Sequence, residues 1–209
     1  TALNLVFTIT LSYGLSREGL KGRTFLTGFV FFTMLFSGGM IPTFILVKGV
    51  GLIDSRWAMV LPCLINTWNL LIMRNFFYGI PKSLEEAAVI DGANDAQVLV
   101  KIVLPLSKAS IATIGLFYAV SHWNAWFDAM LYINTTALLP MQNILRNIIT
   151  AASSIGDLGA EAYNSLDVVP PSQAIRAATI VITTLPILVA YPFVQKYFVK
   201  GVMVGSVKG

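Results

Sequence analysis

The chain has 209 residues, of which 56% are hydrophobic and only 11% charged, and its mean hydropathy is +0.75. That excludes an ordinary soluble domain, about a quarter of whose residues are charged. The net charge of +4 is no nucleic-acid signature, because the basic residues cluster at the ends of apolar runs, and a single cysteine, Cys63, excludes an internal disulfide.

Apolar runs of about 20 residues are long enough to cross a hydrocarbon core, and the chain reads as five such spans. The first is Thr1 to Leu15, cut short at its start; Thr1 to Gly14 has neither a basic n-region nor a small-residue cleavage site. A short loop, SREGLKGR, leads to a Phe-rich second span from about Thr24 to Val47, with Gly38, Gly39 and Pro42 in its far half. The third runs from about Trp57 to Tyr78. Its Asn66 and Asn69 lie one helical turn apart and are expected to face other helices, either bonding between helices or lining a path. Arg74 sits near the end of this span, where it can snorkel.

The fourth span, from about Val103 to Ile133, is longer than crossing requires and is expected to bend or tilt. At helical spacing Asn124 and Asp128 share one face, and Trp123 and Trp126 neighbour each other on another. Rings beside amide and carboxylate groups suit sugars, stacking on C–H faces while polar groups bond hydroxyls. The alternative is an aromatic belt at the membrane interface. Residues 134–173 form the longest connection. Pro140 opens an expected amphipathic helix with Met141, Ile144, Leu145, Ile148, Ile149 and Ala152 on one face, followed by an irregular stretch, GDLGAEAYNSLDVVPPS. The fifth span runs from about Ala174 to Phe198.

Between the third and fourth spans lies a polar segment, residues 81–105. Ser83 as N-cap with Glu86 three residues on predicts a capping box. Gly92 ends that helix, Ala93 to Val103 forms a second, and Pro105 kinks or ends it. The residues Glu86-Ala87-Ala88, Gly92, Ile102 and Leu104-Pro105 stand at the spacing of the EAA loop, which this segment resembles, of the membrane subunits of bacterial ABC importers. Asp91-Gly92-Ala93 resembles the carbohydrate-uptake branch, which includes the smaller maltose permease subunit. Asp95 stands where that branch often has proline, and Leu99 where it often has phenylalanine. Trp123-Asn124 and the closing Val-Lys-Gly also resemble sugar permeases.

The resemblance implies an all-α polytopic membrane protein, a single ABC-importer transmembrane domain over residues 1–209 of type I, maltose-permease-like architecture, with a further span upstream. It implies that Glu86, Ala87, Ala88, Asp91, Gly92, Ala93, Ile102, Leu104 and Pro105 form a cytoplasmic coupling loop that docks on an ATPase. Asn66, Asn69, Trp123, Asn124 and Asp128 are the candidates for the solute path. The implied partners are a second homologous permease, two ATPase subunits carrying ATP and Mg, an extracytoplasmic solute-binding protein, a sugar or oligosaccharide, and the bilayer of the bacterial inner membrane. Subunits importing oligosaccharides from degraded polysaccharides are the nearest in kind. The external 134–173 connection and the tail are expected near the binding protein and the ATPases respectively.

With that loop inside, ten basic residues (Arg17, Lys21, Arg23, Arg74, Lys82, Lys101, Lys108, Lys196, Lys200 and Lys208) of the 14 lie on the cytoplasmic side, as the positive-inside rule demands. Five spans then leave Thr1 outside and Gly209 inside. His122 is the only histidine, so no metal-ligand spacing exists. Ser121, His122 and Asp128 point in different directions and make no hydrolase, and no phosphate-binding G-x-x-x-x-G-K-[ST] is present, so ATP hydrolysis requires another chain. Asn134-Thr135-Thr136 matches a glycosylation sequon, a frequent chance pattern. Two other functions fit an apolar chain with this loop: an ion-coupled secondary transporter, which needs a mid-bilayer acid and repeat symmetry, and a membrane scaffold that recruits an ATPase without transport.

Overall fold

A computed structural model describes residues 1–157 and 172–205, and every regular element among them is helical. In chain order these are α1 (Ala2–Ser16), α2 (Arg23–Leu35), α3 (Met40–Gly49), α4 (Arg56–Val60), α5 (Thr67–Tyr78), α6 (Lys82–Ile90) and α7 (Asp95–Val98). A π-helical turn (Leu99–Val103) and α8 (Leu104–Leu106) continue α7 into α9 (Lys108–Asn124). Then follow α10 (Phe127–Tyr132), a 3-10 turn (Thr136–Leu138), α11 (Met141–Asp157) and α12 (Ser172–Gly205). Among the described residues no single helix is long and apolar enough to cross a membrane; two bent pairs meet that length and composition, α2 with α3 (111°) and Asp95–Leu106 with α9 (84°).

The breaks have sequence causes. Between α2 and α3 the chain runs through Gly38 and Gly39, the latter at φ +89, which a side chain rarely tolerates. Pro42 then falls in the first turn of α3, where its missing N–H costs nothing. The expected third span is also broken: α4 stops at Val60, and an irregular stretch with Pro62 separates it from α5. Orphaned carbonyls in such a stretch must find donors. The Asn4 side-chain amide donates to the Cys63 and Leu64 carbonyls at 2.8 and 2.9 Å. Asn4 begins a fully buried polar stripe along α1, continued by Thr8 and Ser12 at four-residue spacing. Thr8 shares a 2.8 Å hydrogen bond with the Tyr118 hydroxyl, and Ser12 donates to the Leu70 carbonyl at 3.0 Å. Polar side chains thus bind α1 to α5 and α9 where apolar contacts alone would let them slide.

The core joins α1, α5, the α7–π segment and α9 through Tyr13, Met73, Phe77, Val98, Val103, Ile114 and Tyr118. α9 makes room for α1 at Gly115, where a Cβ would stand 3.2 Å from Leu5 Cδ1. A smaller cluster of Val47, Ala58 and Tyr132 joins α3, α4 and α10. Asp54, at φ +59, fastens this end: its carboxylate accepts the Asn134 and Thr135 N–H groups at 2.9 and 2.8 Å and the Thr135 hydroxyl at 2.6 Å. The hydroxyl bond first, then the backbone N–H bonds, holds the Asp54 carboxyl below its ordinary value.

Three sequence readings need correction here. Asn124 and Asp128 do not share a helix face, because α9 ends at Asn124 and Ala125 is extended. For the same reason Trp126 is not a helical neighbour of Trp123. It precedes α10, edge-on to Phe127 and beneath the Arg146 guanidinium, 3.8 Å from its ring centre. α12, the helix of the expected fifth span, also runs past Ala174 and Phe198 at its two ends, from Ser172 to Gly205. α11 forms as the spacing predicts, with Leu145 buried and Asn143 donating to the Trp126 carbonyl at 2.9 Å, while Met141, Ile144 and Ile148 stay exposed. Most of the irregular stretch after it, and the final four residues of the tail, lie outside the described residues.

Candidate functional site

Residues 81–105 fold into a helical hairpin. Its first helix, α6, does not carry the expected capping box. Pro81 is the N-cap, its carbonyl accepting the Leu84 N–H at 3.2 Å, so Ser83 already lies inside the helix. The turn is a Schellman motif: the Ala93 N–H reaches the Ala88 carbonyl at 2.9 Å, the Gly92 N–H reaches that of Val89 at 3.0 Å, and Gly92 sits at φ +83. The capping box appears instead on α7, where Asn94 and Gln97 exchange side-chain-to-backbone bonds of 2.9 and 3.0 Å. Pro105 falls just before the 84° bend into α9. A π-helical turn, Leu99–Val103, precedes it.

The hairpin has two faces. Ala88, Ala93 and Leu99 lean on the core with buried Val98 and Val103. Glu86, Ala87, Asp91 and Pro105 are exposed, Ile102 and Leu104 half-buried. Ile90 is 85% exposed and Val89 53%, an apolar ridge with no cover among the described residues. Glu86 is exposed and forms no ion pair among the described residues. Its neighbour Glu85 turns the other way and pairs with Arg17, which also reaches Asp95 at 3.0 Å. Lys82 pairs with Glu18; the bond between them lowers the Glu18 carboxyl and raises the Lys82 ammonium. An open groove of about 1060 Å³ runs between residues 16–20 and the hairpin, lined by Glu85, Glu86, Val89 and Ile90 among others.

A second cavity, about 870 Å³, opens beside the α4–α5 break. Asn66, Asn69 and Asp128 line it together; Trp123 and Asn124 do not. Asn66 spends its carbonyl oxygen capping α5 through the Asn69 N–H at 3.0 Å, and its own N–H goes to the Tyr118 hydroxyl at 2.9 Å. Trp123 donates its indole N–H to the Thr183 carbonyl at 3.1 Å, tying α9 to α12. The sequence reading missed Asn4, Cys63, Ser121 and His122 as lining residues. His122 Nε2 lies 2.9 Å from Asn4 Oδ1, and Cys63 Sγ 3.6 Å from Asp128 Oδ2. The polar spacing of Asn4, Thr8 and Ser12 was the available signal for this wall. Tyr13, Arg17 and Glu85 could be found only once α1 and the hairpin were together in space. No lysine or arginine lines the cavity, and no group of three or more His, Cys, Asp or Glu among the described residues could hold a metal ion.

Among its described residues the chain combines broken helices, a polar cavity at one break and a capped hairpin carrying uncovered apolar and acidic side chains, a combination that suits transport. It belongs to the family of binding-protein-dependent transport system inner membrane components, whose pattern matches residues 7–204. The chain is 52% identical, over all of its length and 72% of the relative's, to the polygalacturonan/rhamnogalacturonan transport system permease protein YtcP of Bacillus subtilis. It is 51% identical, over all of its length and 70% of the relative's, to protein LplC of the same organism. The crystal structure of a bacterial ABC transporter involved in import of the acidic polysaccharide alginate contains a chain of the same fold, with TM-score 0.84 and 36% identity over 95% of this chain and 70% of that one.

Proposed function

We propose that the chain is a permease subunit of an ATP-driven ABC importer for a sugar or oligosaccharide, forming half of the translocation pathway and coupling it to ATPase subunits. The hairpin carries this reading. Its inner face is fixed to the core, while Glu86, Val89 and Ile90 face outward, as a docking surface for another protein requires. In the assembled transporter this surface meets a cytoplasmic ATPase, present in two copies that hold ATP and Mg. Glu86 reaches a basic group and Ala87 and Ile90 pack against the partner, while Ala88, expected beside them, leans on the core instead. Asp91, Gly92 and Ala93 shape the turn, and Ile102, Leu104 and Pro105 carry its motion into α9.

The distribution of basic residues supports a cytoplasmic hairpin, with Asp54, Asn134 and α11 on the opposite side, toward an extracytoplasmic binding protein. The helices form a transmembrane bundle of the type I, maltose-permease-like kind, paired with a second homologous permease. ATP-driven closure of the ATPases brings the two hairpins together and swings the helices, a rigid-body form of alternating access.

The named relatives support an oligosaccharide of the polygalacturonan, rhamnogalacturonan or alginate kind. Asn66, Asn69 and Asp128, with Ser121 and His122, supply donors and acceptors for sugar hydroxyls. With no lysine or arginine among the described residues that line it, this cavity offers more to the hydroxyls of a uronic-acid chain than to its carboxylates. The test is to purify the transporter with Glu86→Lys. The variant should remain in the membrane yet lose the ATPase, and uptake of oligogalacturonides should stop. Full uptake by this variant would refute the docking role.

A further inference from the structure

We infer that Arg17 is a positioning residue for coupling: it fastens both helices of the hairpin to the end of α1, so that a push on the hairpin moves α1. This rests on the docking reading above. The guanidinium fork holds Glu85 of α6 with one nitrogen and Asp95 of α7, 3.0 Å away, with the other. Tyr13, one turn earlier, sits beneath the guanidinium at 5.1 Å and donates its hydroxyl to the Asp95 carbonyl at 3.3 Å. Arg74 closes the same end by donating to the Leu15 carbonyl at 3.2 Å.

The Arg17 and Glu85 side chains are only 26% and 19% exposed, so solvent screens the pair weakly and loss of one partner strands the other. The remaining contacts on the inner face of the hairpin include two alanines, Ala88 and Ala93, with little side chain to resist rocking. The hairpin is bounded by chain breaks, at Pro81 and at the bend near Ser107. Arg17 therefore decides whether the hairpin pivots at those breaks or carries α1 with it. α1 extends about 20 Å from Arg17 to Asn4, where it holds the cavity wall through Cys63, Leu64 and His122. Glu85 and Glu86 divide the work: one faces the clamp, the other the partner.

The test uses the complete transporter in nanodiscs and follows alkylation of Cys63 by N-ethylmaleimide, read by mass spectrometry of its peptide with and without ATP and vanadate. Cys63 is exposed and lines the cavity. In the unmodified complex nucleotide should change its alkylation rate. Arg17→Ala should keep the ATPase bound while that response falls roughly tenfold, within the range for residues that alter coupling without touching a ligand. Arg17→Lys, which keeps the charge but lacks a fork for two carboxylates, should lose roughly threefold; it decides the matter if Arg17→Ala does not assemble. An unchanged response in Arg17→Lys and Arg17→Ala, beside a silent Glu86→Lys, overturns the clamp and leaves docking intact. An unmodified complex that ignores nucleotide, or a Glu86→Lys variant that still binds ATPase, overturns docking and the clamp with it.

Discussion

Asn4 and His122, 118 residues apart, share a hydrogen bond of 2.9 Å, and the same Asn4 side chain closes the carbonyls of Cys63 and Leu64. One amide thus satisfies three groups from two other segments. Asn4→Leu should cost about 2 kcal/mol, because it leaves buried acceptors without donors. Thermal unfolding in detergent will show it as a lowered Tm. Asn4→Asp, which keeps an acceptor but loses both donors, should recover little.

Gly92 stands at φ +83, with nothing within 4 Å of a Cβ placed there. Space is therefore not the constraint; the left-handed conformation is. Gly92→Ala should cost about 1 kcal/mol and leave the hairpin docked. Gly92→Pro forces φ negative and removes the N–H that bonds Val89, and should cost about 3 kcal/mol or more. Hydrogen exchange across residues 82–106 should rise slightly in the first variant and strongly in the second, with transport lost only in the second.

The Asp54 carboxyl lies below its ordinary value because it accepts from Thr135 and Asn134. A depressed folded value means that the ionised loop contact contributes fully above the unfolded carboxylate value, about 3.9. Its contribution is lost as pH falls through the lower, folded one. The Tm difference between the unmodified chain and Asp54→Asn should therefore be flat above about pH 5 and shrink in stronger acid. A gap that widens in acid would contradict the assignment.

Asn69 and Asp128 line the cavity, whereas Trp123 is engaged by Thr183. Asn69→Leu and Asp128→Asn should each weaken oligogalacturonide uptake by about tenfold, the equivalent of one lost hydrogen bond to the solute at about 1.4 kcal/mol. Trp123→Phe should leave the half-saturating concentration alone and lower stability by about 1 kcal/mol. Uptake kinetics and thermal unfolding on the same preparations separate the two effects.

The hairpin was largely legible from sequence, because glycine at a turn and proline at a bend act locally, and Gly92 and Pro105 do here what their backbone chemistry dictates. Its caps were harder. Ser83-x-x-Glu86 and Asn94-x-x-Gln97 both fit a box, and Pro81 decides between them by starting α6 early. The third and fourth spans misled periodicity in the same way: a uniform apolar run conceals a break when the donor that satisfies it is distant. Asn4 stabilises the irregular stretch before α5, and nothing near Pro62 announces it. At Ala125 the backbone turns extended without glycine or proline, which separated Asn124 from Asp128. The cavity was therefore half visible, through Asn66, Asn69 and Asp128, while its α1 wall needed the fold. Arg17 looked like one more basic residue at a span end until Glu85 and Asp95 converged on it.

At Gly115 the backbone of α9 comes so near Leu5 that a single added carbon would touch it at 3.2 Å. The nearest atom is the far end of a flexible leucine, so Gly115→Ala is admitted only if Leu5 yields by a few tenths of an ångström, and residue 115 caps the side-chain size that this helix pair tolerates.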